Sequence, residues 1–201
     1  MDKVICVFGD SIAHGFYDWE VGGWVDRLKL SLKAELYNSS ISGDTTSDLL
    51  KRFKVESEAR KPDIIIFAIG VNDSIFRKTD MEQTDTPAEI FKSNIRKLIE
   101  LAKGFTNDVL FLGLGLVEEA KVQPFPWSSS GKCYSNRNIE LFDGYIKKIC
   151  DQEEVPYLNT FNIVKAEDLE DGIHPTSEGH RRIYEEVKAK LVSLGSIEPK
   201  S

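Results

Sequence analysis

Five positions spread over the chain carry groups suited to acyl transfer. Ser11, in Val7-Phe8-Gly9-Asp10-Ser11-Ile12-Ala13-His14-Gly15, offers a hydroxyl just after an apolar run. Gly43, in Ser42-Gly43-Asp44-Thr45-Thr46, offers a backbone N–H with no side chain beside it. Asn72, in Gly70-Val71-Asn72-Asp73, offers an amide. Asp171 and His174, in Asp171-Gly172-Ile173-His174-Pro175, offer a carboxylate and an imidazole. Together they supply a nucleophile, a base, a group to orient the base, and donors for an oxyanion. The Asp-x-x-His spacing has a local logic. Pro175 biases His174 towards extended backbone, and Gly172 lets the chain fold Asp171 back onto the ring. A carboxylate on one ring nitrogen fixes the tautomer and leaves the other nitrogen as a base. Each block also has a plain structural reading: a helix cap at Ser11, a positive-φ turn at Gly43, an Asx turn at Asn72-Asp73, a surface ion pair at Asp171 and His174.

What makes the set more than four turns is where the turns fall. Five short apolar runs predict strands: Lys3–Phe8, Glu35–Ser39, Asp63–Ile69, Val109–Gly113 and Val155–Asn159. Helical spacing lies between them. Trp24, Val25, Leu28 and Leu32 share a face, as do Leu49, Leu50 and Phe53. Thr86-Pro87-Ala88-Glu89 predicts a capping box ahead of Phe91, Ile95, Leu98 and Ala102, with a stop at Gly104. Ile139, Phe142, Ile146 and Ile149 mark a fourth helix, and Ile183, Tyr184, Val187, Leu191 and Leu194 a fifth. Strand and helix alternate, so the expected fold is a three-layer α/β/α sandwich on a parallel sheet. In such sheets ligands bind beyond the carboxyl ends of the strands, where every candidate block falls.

The 201 residues suit one domain spanning 1–201. A net charge of −7, with no basic block, disfavours nucleic acid and anionic membrane as partners. No run approaches a membrane span, and the opening apolar run is too short for a signal-peptide core. Cys6, Cys133 and Cys150 form no CxxC pair, so neither a disulfide framework nor a zinc site is expected. These features predict a cytoplasmic protein. One segment, Leu116 to Tyr134, is long for a structureless loop, and loops of that length are usually functional or mobile.

The four blocks, in this order, resemble those of the SGNH hydrolases of the GDSL esterase/lipase family. Phe8-Gly9-Asp10-Ser11-Ile12 matches the first, with Ile12 where the family name has Leu. The resemblance implies a flavodoxin-like five-stranded sheet in order 2-1-3-4-5, and hydrolysis of esters or thioesters without metal or cofactor. It implies Ser11 as nucleophile, with Asp171 and His174 completing a triad. Ser11, Gly43 and Asn72 would form the oxyanion hole. A Gly-x-Ser-x-Gly elbow, the mark of another hydrolase fold, does not occur. The expected partner is a small-molecule ester, carboxylic, thioester or O-acetyl. Its pocket would be walled by Asp10, His14, Trp19, Phe125 and Trp127. The alternative from another class is a non-catalytic acyl- or carbohydrate-binding module, which the loss of Ser, Asn or His would signal; none is lost. A flavin- or nucleotide-binding fold is disfavoured, because Asp10 stands where a phosphate would sit and no P-loop occurs.

Overall fold

The computed structural model describes residues 2–126 and 128–197. Five parallel strands form the central sheet: β1 (Lys3–Gly9), β2 (Ala34–Asn38), β3 (Ile64–Ala68), β6 (Val109–Leu112) and β8 (Tyr157–Leu158). Their spatial order is β2-β1-β3-β6-β8, which counted among these five is 2-1-3-4-5. β3 and β6 are apolar at every position, and β1 is from Val4 on, because both faces are covered. Ile5, Val7, Ile64, Ile66, Leu110 and Leu112 face α2 (Trp24–Ser31) and α7 (Ser177–Ser193). Cys6, Phe8, Ile65, Phe67 and Phe111 face the other way, towards α3 (Thr46–Arg60), α4 (Ala88–Lys103) and α6 (Asn136–Gln152). On that side Phe8, Phe67 and Phe111 lie ring beside ring across three strands, at 6.2 and 5.2 Å between centroids. Trp24, the first residue of α2, is buried in the opposite layer.

Two local expectations are corrected. The capping box at Thr86 does not form: Pro87 is the N-cap of α4 and makes no side-chain cap bond. Thr86 is held through its backbone instead: its N–H donates to the Asp73 carbonyl at 3.3 Å and its carbonyl accepts from the Thr84 hydroxyl at 2.7 Å. The box that does form is Thr45 with Asp48, at the start of α3. The last predicted strand is shorter than its apolar run, since only Tyr157 and Leu158 pair with β6.

A second, smaller sheet was not foreseen. It contains β4 (Phe76–Arg77), β5 (Asp80–Thr84) and β7 (Lys132–Cys133), all antiparallel in the order β5-β4-β7. Short strands rich in charge lack the alternating apolar signal that identifies a half-buried strand. This sheet gives the 116–134 segment structure: α5 (Glu119–Val122) in its first half and β7 near its end. Pairing of Phe76 with Cys133 brings the end of that segment beside Asn72. Further bonds fix it. The Asn136 side chain bonds both the N–H and the carbonyl of Val117, and Gln123 donates to the Tyr134 carbonyl. Among the described residues, no helix is long and apolar enough to cross a membrane.

Candidate active site

Ser11, Gly43 and Asn72 follow the ends of β1, β2 and β3, whereas Asp171 and His174 lie on a return just before α7. β1 ends at Gly9, and Asp10 caps the single-turn helix α1 (Ser11–His14) by accepting from the Ile12 N–H at 3.0 Å. Ser11 is therefore the first residue of a helical turn, where an N–H has no carbonyl one turn back to receive it. Its hydroxyl is 2.8 Å from His174 Nε2.

His174 lies on a tight return of chain. Leu169 and Pro175 form an antiparallel bridge, and the Glu170 N–H donates to the His174 carbonyl. Within that return Asp171 folds back: Oδ1 accepts from the N–H groups of Ile173 and His174, and Oδ2 lies 2.7 Å from His174 Nδ1. A carboxylate only accepts, so Nδ1 carries the proton and Nε2 is left as acceptor for the Ser11 hydroxyl. Burial pushes the Asp171 carboxyl up, but the bonds from the His174 side chain and backbone outweigh it and hold it below the ordinary range. Gly172 has φ 93°, and a Cβ there would stand 2.7 Å from Lys121 Cβ and 2.9 Å from Val122 Cγ1. Its carbonyl accepts from the Glu118 N–H, so α5 packs directly on the Asp171–His174 return.

The oxyanion candidates are tied to each other. Asn72 Nδ2 donates to the Asp44 carbonyl at 3.0 Å, and its Oδ1 faces the Tyr134 hydroxyl at 3.4 Å. An amide nitrogen has two hydrogens, and the second is free to point into the cleft. Gly43, at φ 86°, has nothing within 4 Å of a notional Cβ, so conformation rather than space calls for glycine. Asp73 ties the two blocks: its carboxylate accepts from the Thr46 N–H at 2.9 Å and the Thr46 hydroxyl at 2.6 Å. Burial pushes Asp73 up to about 6, even though the Thr46 bonds oppose it.

These groups converge on one cleft of about 670 Å³, which Ser11, Gly43, Asn72, Asp171 and His174 all line. An amphipathic wall surrounds the imidazole: the rings of Phe16, Tyr17 and Phe125 lie 5.1, 5.8 and 6.2 Å from it. Ser128–Ser130 and Lys132 also line the cleft.

A family model for the GDSL-like lipase/acylhydrolase family matches residues 7–182. The chain belongs to that family. An arylesterase from Vibrio mimicus is 27% identical over 197 residues, spanning 94% of this chain and 88% of its own. The esterase TesA of Pseudomonas aeruginosa is 28% identical over 201 residues, spanning 96% of this chain and 89% of its own. Among solved structures, a lipase/acylhydrolase from Enterococcus faecalis matches with TM-score 0.75 over 99% of both chains, at 19% identity. An acetylxylan esterase from Geobacillus stearothermophilus matches with TM-score 0.73 over 94% of both, also at 19%. At such identity the solved structures speak to the fold alone. The protein is a GDSL-family serine hydrolase acting on ester bonds.

The GDSL hydrolase does not gather every expected pocket residue into the cleft. Phe125 lines it. Asp10 lies behind Ser11, against a small apolar cavity of about 50 Å³ bordered by Trp24 and Val71. Burial lifts its carboxyl to about 7, against the lowering effect of the Ile12 N–H. His14 and Trp19 open into a neighbouring hollow, on the far side of Phe16. Trp127 lies outside the described residues. Sequence reasoning missed Tyr134, Thr46 and Asp73, the residues that hold Asn72 and the Gly43 turn. The doubled threonine after Gly43 and the Asp after Asn72 were the available signals. Tyr134 had none, because its approach depends on the unforeseen β4–β7 pairing.

Proposed function

We propose that this hydrolase cleaves carboxylic esters by a Ser11–His174–Asp171 relay, as a single catalytic domain over 1–201. The observation that carries the reading is the unbroken pair of bonds from Ser11 Oγ to His174 Nε2 (2.8 Å) and from His174 Nδ1 to Asp171 Oδ2 (2.7 Å). His174 Nε2 takes the Ser11 proton as Oγ attacks the substrate carbonyl carbon. Asp171 holds the ring and stabilises the imidazolium. The tetrahedral oxyanion accepts from the N–H groups of Ser11 and Gly43 and the free amide hydrogen of Asn72. The imidazolium then protonates the departing alcohol, and the C–O bond breaks. Water, deprotonated by the same nitrogen, attacks the acyl-enzyme and regenerates Ser11.

The same attack geometry serves thioesters and O-acetyl sugars. The three cysteines are free and buried, and burial pushes the Cys6 and Cys150 thiols up to about 12, which keeps them as unreactive thiols beside the serine chemistry. The experiment is a p-nitrophenyl ester series from acetate to palmitate, beside a thioester series, on wild type and Ser11→Ala. Ser11→Ala should lose turnover and fluorophosphonate labelling while keeping its melting temperature. Full activity in that variant would remove Ser11 from the mechanism.

A further inference from the structure

Beside the cleft lies a second hollow of about 500 Å³, within the size range of small-molecule sites. The Phe16 ring borders both. The hollow holds His14, Trp19 and Asp26. Trp19 is 83% exposed, and its one ring neighbour among the described residues is Tyr17, edge-on at 6.3 Å. Tyr17 in turn stands 5.8 Å from the His174 ring. A row of aromatic faces thus leads from the reacting imidazole out to the indole. Phe16, 40% exposed, widens it.

The polar groups at the foot of the row are unspent. Among the described residues, the Asp26 carboxylate accepts no hydrogen bond, although it is half-buried. Burial lifts its pKa, with the charge of Lys29 opposing. The imidazole of His14 spends Nδ1 on the Ser40 carbonyl at 3.3 Å, which leaves Nε2 as an acceptor. An indole and two hydrogen-bond acceptors in one hollow suit a pyranose, whose C–H face packs on the ring while its hydroxyls donate to the acceptors.

The backbone on either side of Trp19 is tied down. Asp18, buried, accepts from the N–H groups of Glu20, Val21 and Gly23 and pairs with Arg27 at 2.9 Å. Arg27 reaches on to the Ser177 hydroxyl at 2.7 Å. The buried His180 holds the Phe16 carbonyl through Nε2 at 3.0 Å. Tyr17 sits at φ 67°, a left-handed conformation rare for an aromatic residue, and such outliers collect at functional corners.

We propose that this hollow is a sugar subsite, with a pyranose on Trp19 and its hydroxyls on Asp26 and His14, so that the hydrolase acts on O-acylated carbohydrate. This rests on the esterase reading above, because the subsite gains its purpose from the ester placed at Ser11. Pre-formed geometry lets a sugar bind without first ordering the loop.

Two measurements separate the ideas. The first compares kcat/KM on acetylated xylo-oligosaccharide with kcat/KM on p-nitrophenyl acetate. Their ratio should fall at least tenfold in Trp19→Ala and in Asp26→Asn, chiefly through KM on the sugar, and recover in part in Trp19→Phe. An unchanged ratio overturns the subsite. The second titrates the same acetylated oligosaccharide calorimetrically into Ser11→Ala, which binds without turnover. Binding should be present there and lost when Trp19→Ala is added. If wild type cleaves p-nitrophenyl acetate but Ser11→Ala binds no sugar, the subsite fails and the esterase reading stands. If sugar binds but wild type cleaves neither ester, the subsite stands and the esterase reading fails.

Discussion

The Tyr134 hydroxyl faces Asn72 Oδ1 at 3.4 Å, opposite the acceptor-only Asp44 carbonyl on Nδ2, and the two contacts together set which way round the Asn72 amide lies. With its oxygen turned to Tyr134 and one hydrogen on the Asp44 carbonyl, the other hydrogen is left for the cleft. Tyr134→Phe removes that guide but leaves the donor in place. It should lower kcat about three- to tenfold with little change in KM, whereas Asn72→Ala should cost on the order of 10²–10³ in kcat. Steady-state kinetics on p-nitrophenyl acetate reads both. Equal losses in the two variants would deny the orienting role.

Asp171→Asn keeps the size of the side chain and removes its charge. An amide can donate to His174 Nδ1, which favours the tautomer with the proton on the wrong nitrogen. Turnover should fall by about 10³–10⁴. In the native site the hydrogen bonds from His174 keep the carboxylate ionised against the pull of burial. A variant within twofold of wild type would reduce Asp171 to a structural ion pair.

Gly172→Ala should act on stability and site together. It meets a positive φ costing about 1–2 kcal/mol, and Lys121 and Val122 stand where the methyl would go. A fall in melting temperature, with a larger fall in activity, is expected because Gly172 joins Asp171 to His174. Thermal unfolding beside activity at a temperature well below the transition distinguishes the two effects.

Asp10 gives a prediction about pH. Its carboxyl rises from 3.8 to about 7 on folding, chiefly through burial. Between those values the folded protein keeps a proton that the unfolded chain has released. Stability therefore falls as pH rises through that window and levels off above it. Asp73, raised to about 6, adds a slope of the same sign. Asp10→Asn retains an N-cap acceptor for Ile12 but cannot ionise. It should be more stable than wild type at pH 8, by on the order of 2–4 kcal/mol, with the advantage vanishing near pH 4. Urea unfolding at both pH values tests it, and a gap that grows as pH falls would refute the assignment.

How much of this was written in the sequence follows from the range of the interactions. Strand runs such as Ile64–Ala68 were legible because burial on both faces forces an unbroken apolar string. The Asp171–His174 pair was legible because three residues and a glycine suffice to close it. The Thr86 cap failed because the backbone there is fixed from across the fold, its N–H donating to the Asp73 carbonyl, and a local pattern does not register such a contact. The β4–β5–β7 sheet was hidden for a related reason. Its strands are short and charged, and they are stabilised by one another rather than by their own periodicity. Tyr134 and the separation of Trp19 from the main cleft both follow from contacts made across the fold.

The return that carries Asp171 and His174 together divides the site into two bodies. One holds the base with its carboxylate, spaced by three peptide units and braced by α5. The other holds Asn72 and the Gly43 turn, laced by Thr46 and Asp73. Ser11 bridges from its own strand to the first by one 2.8 Å contact. Drift in sheet twist or in the 116–134 segment over evolutionary time therefore retunes the reach between base and serine while leaving the tautomer of the base untouched. A lineage is free to remodel what the enzyme grips without relearning how it moves a proton.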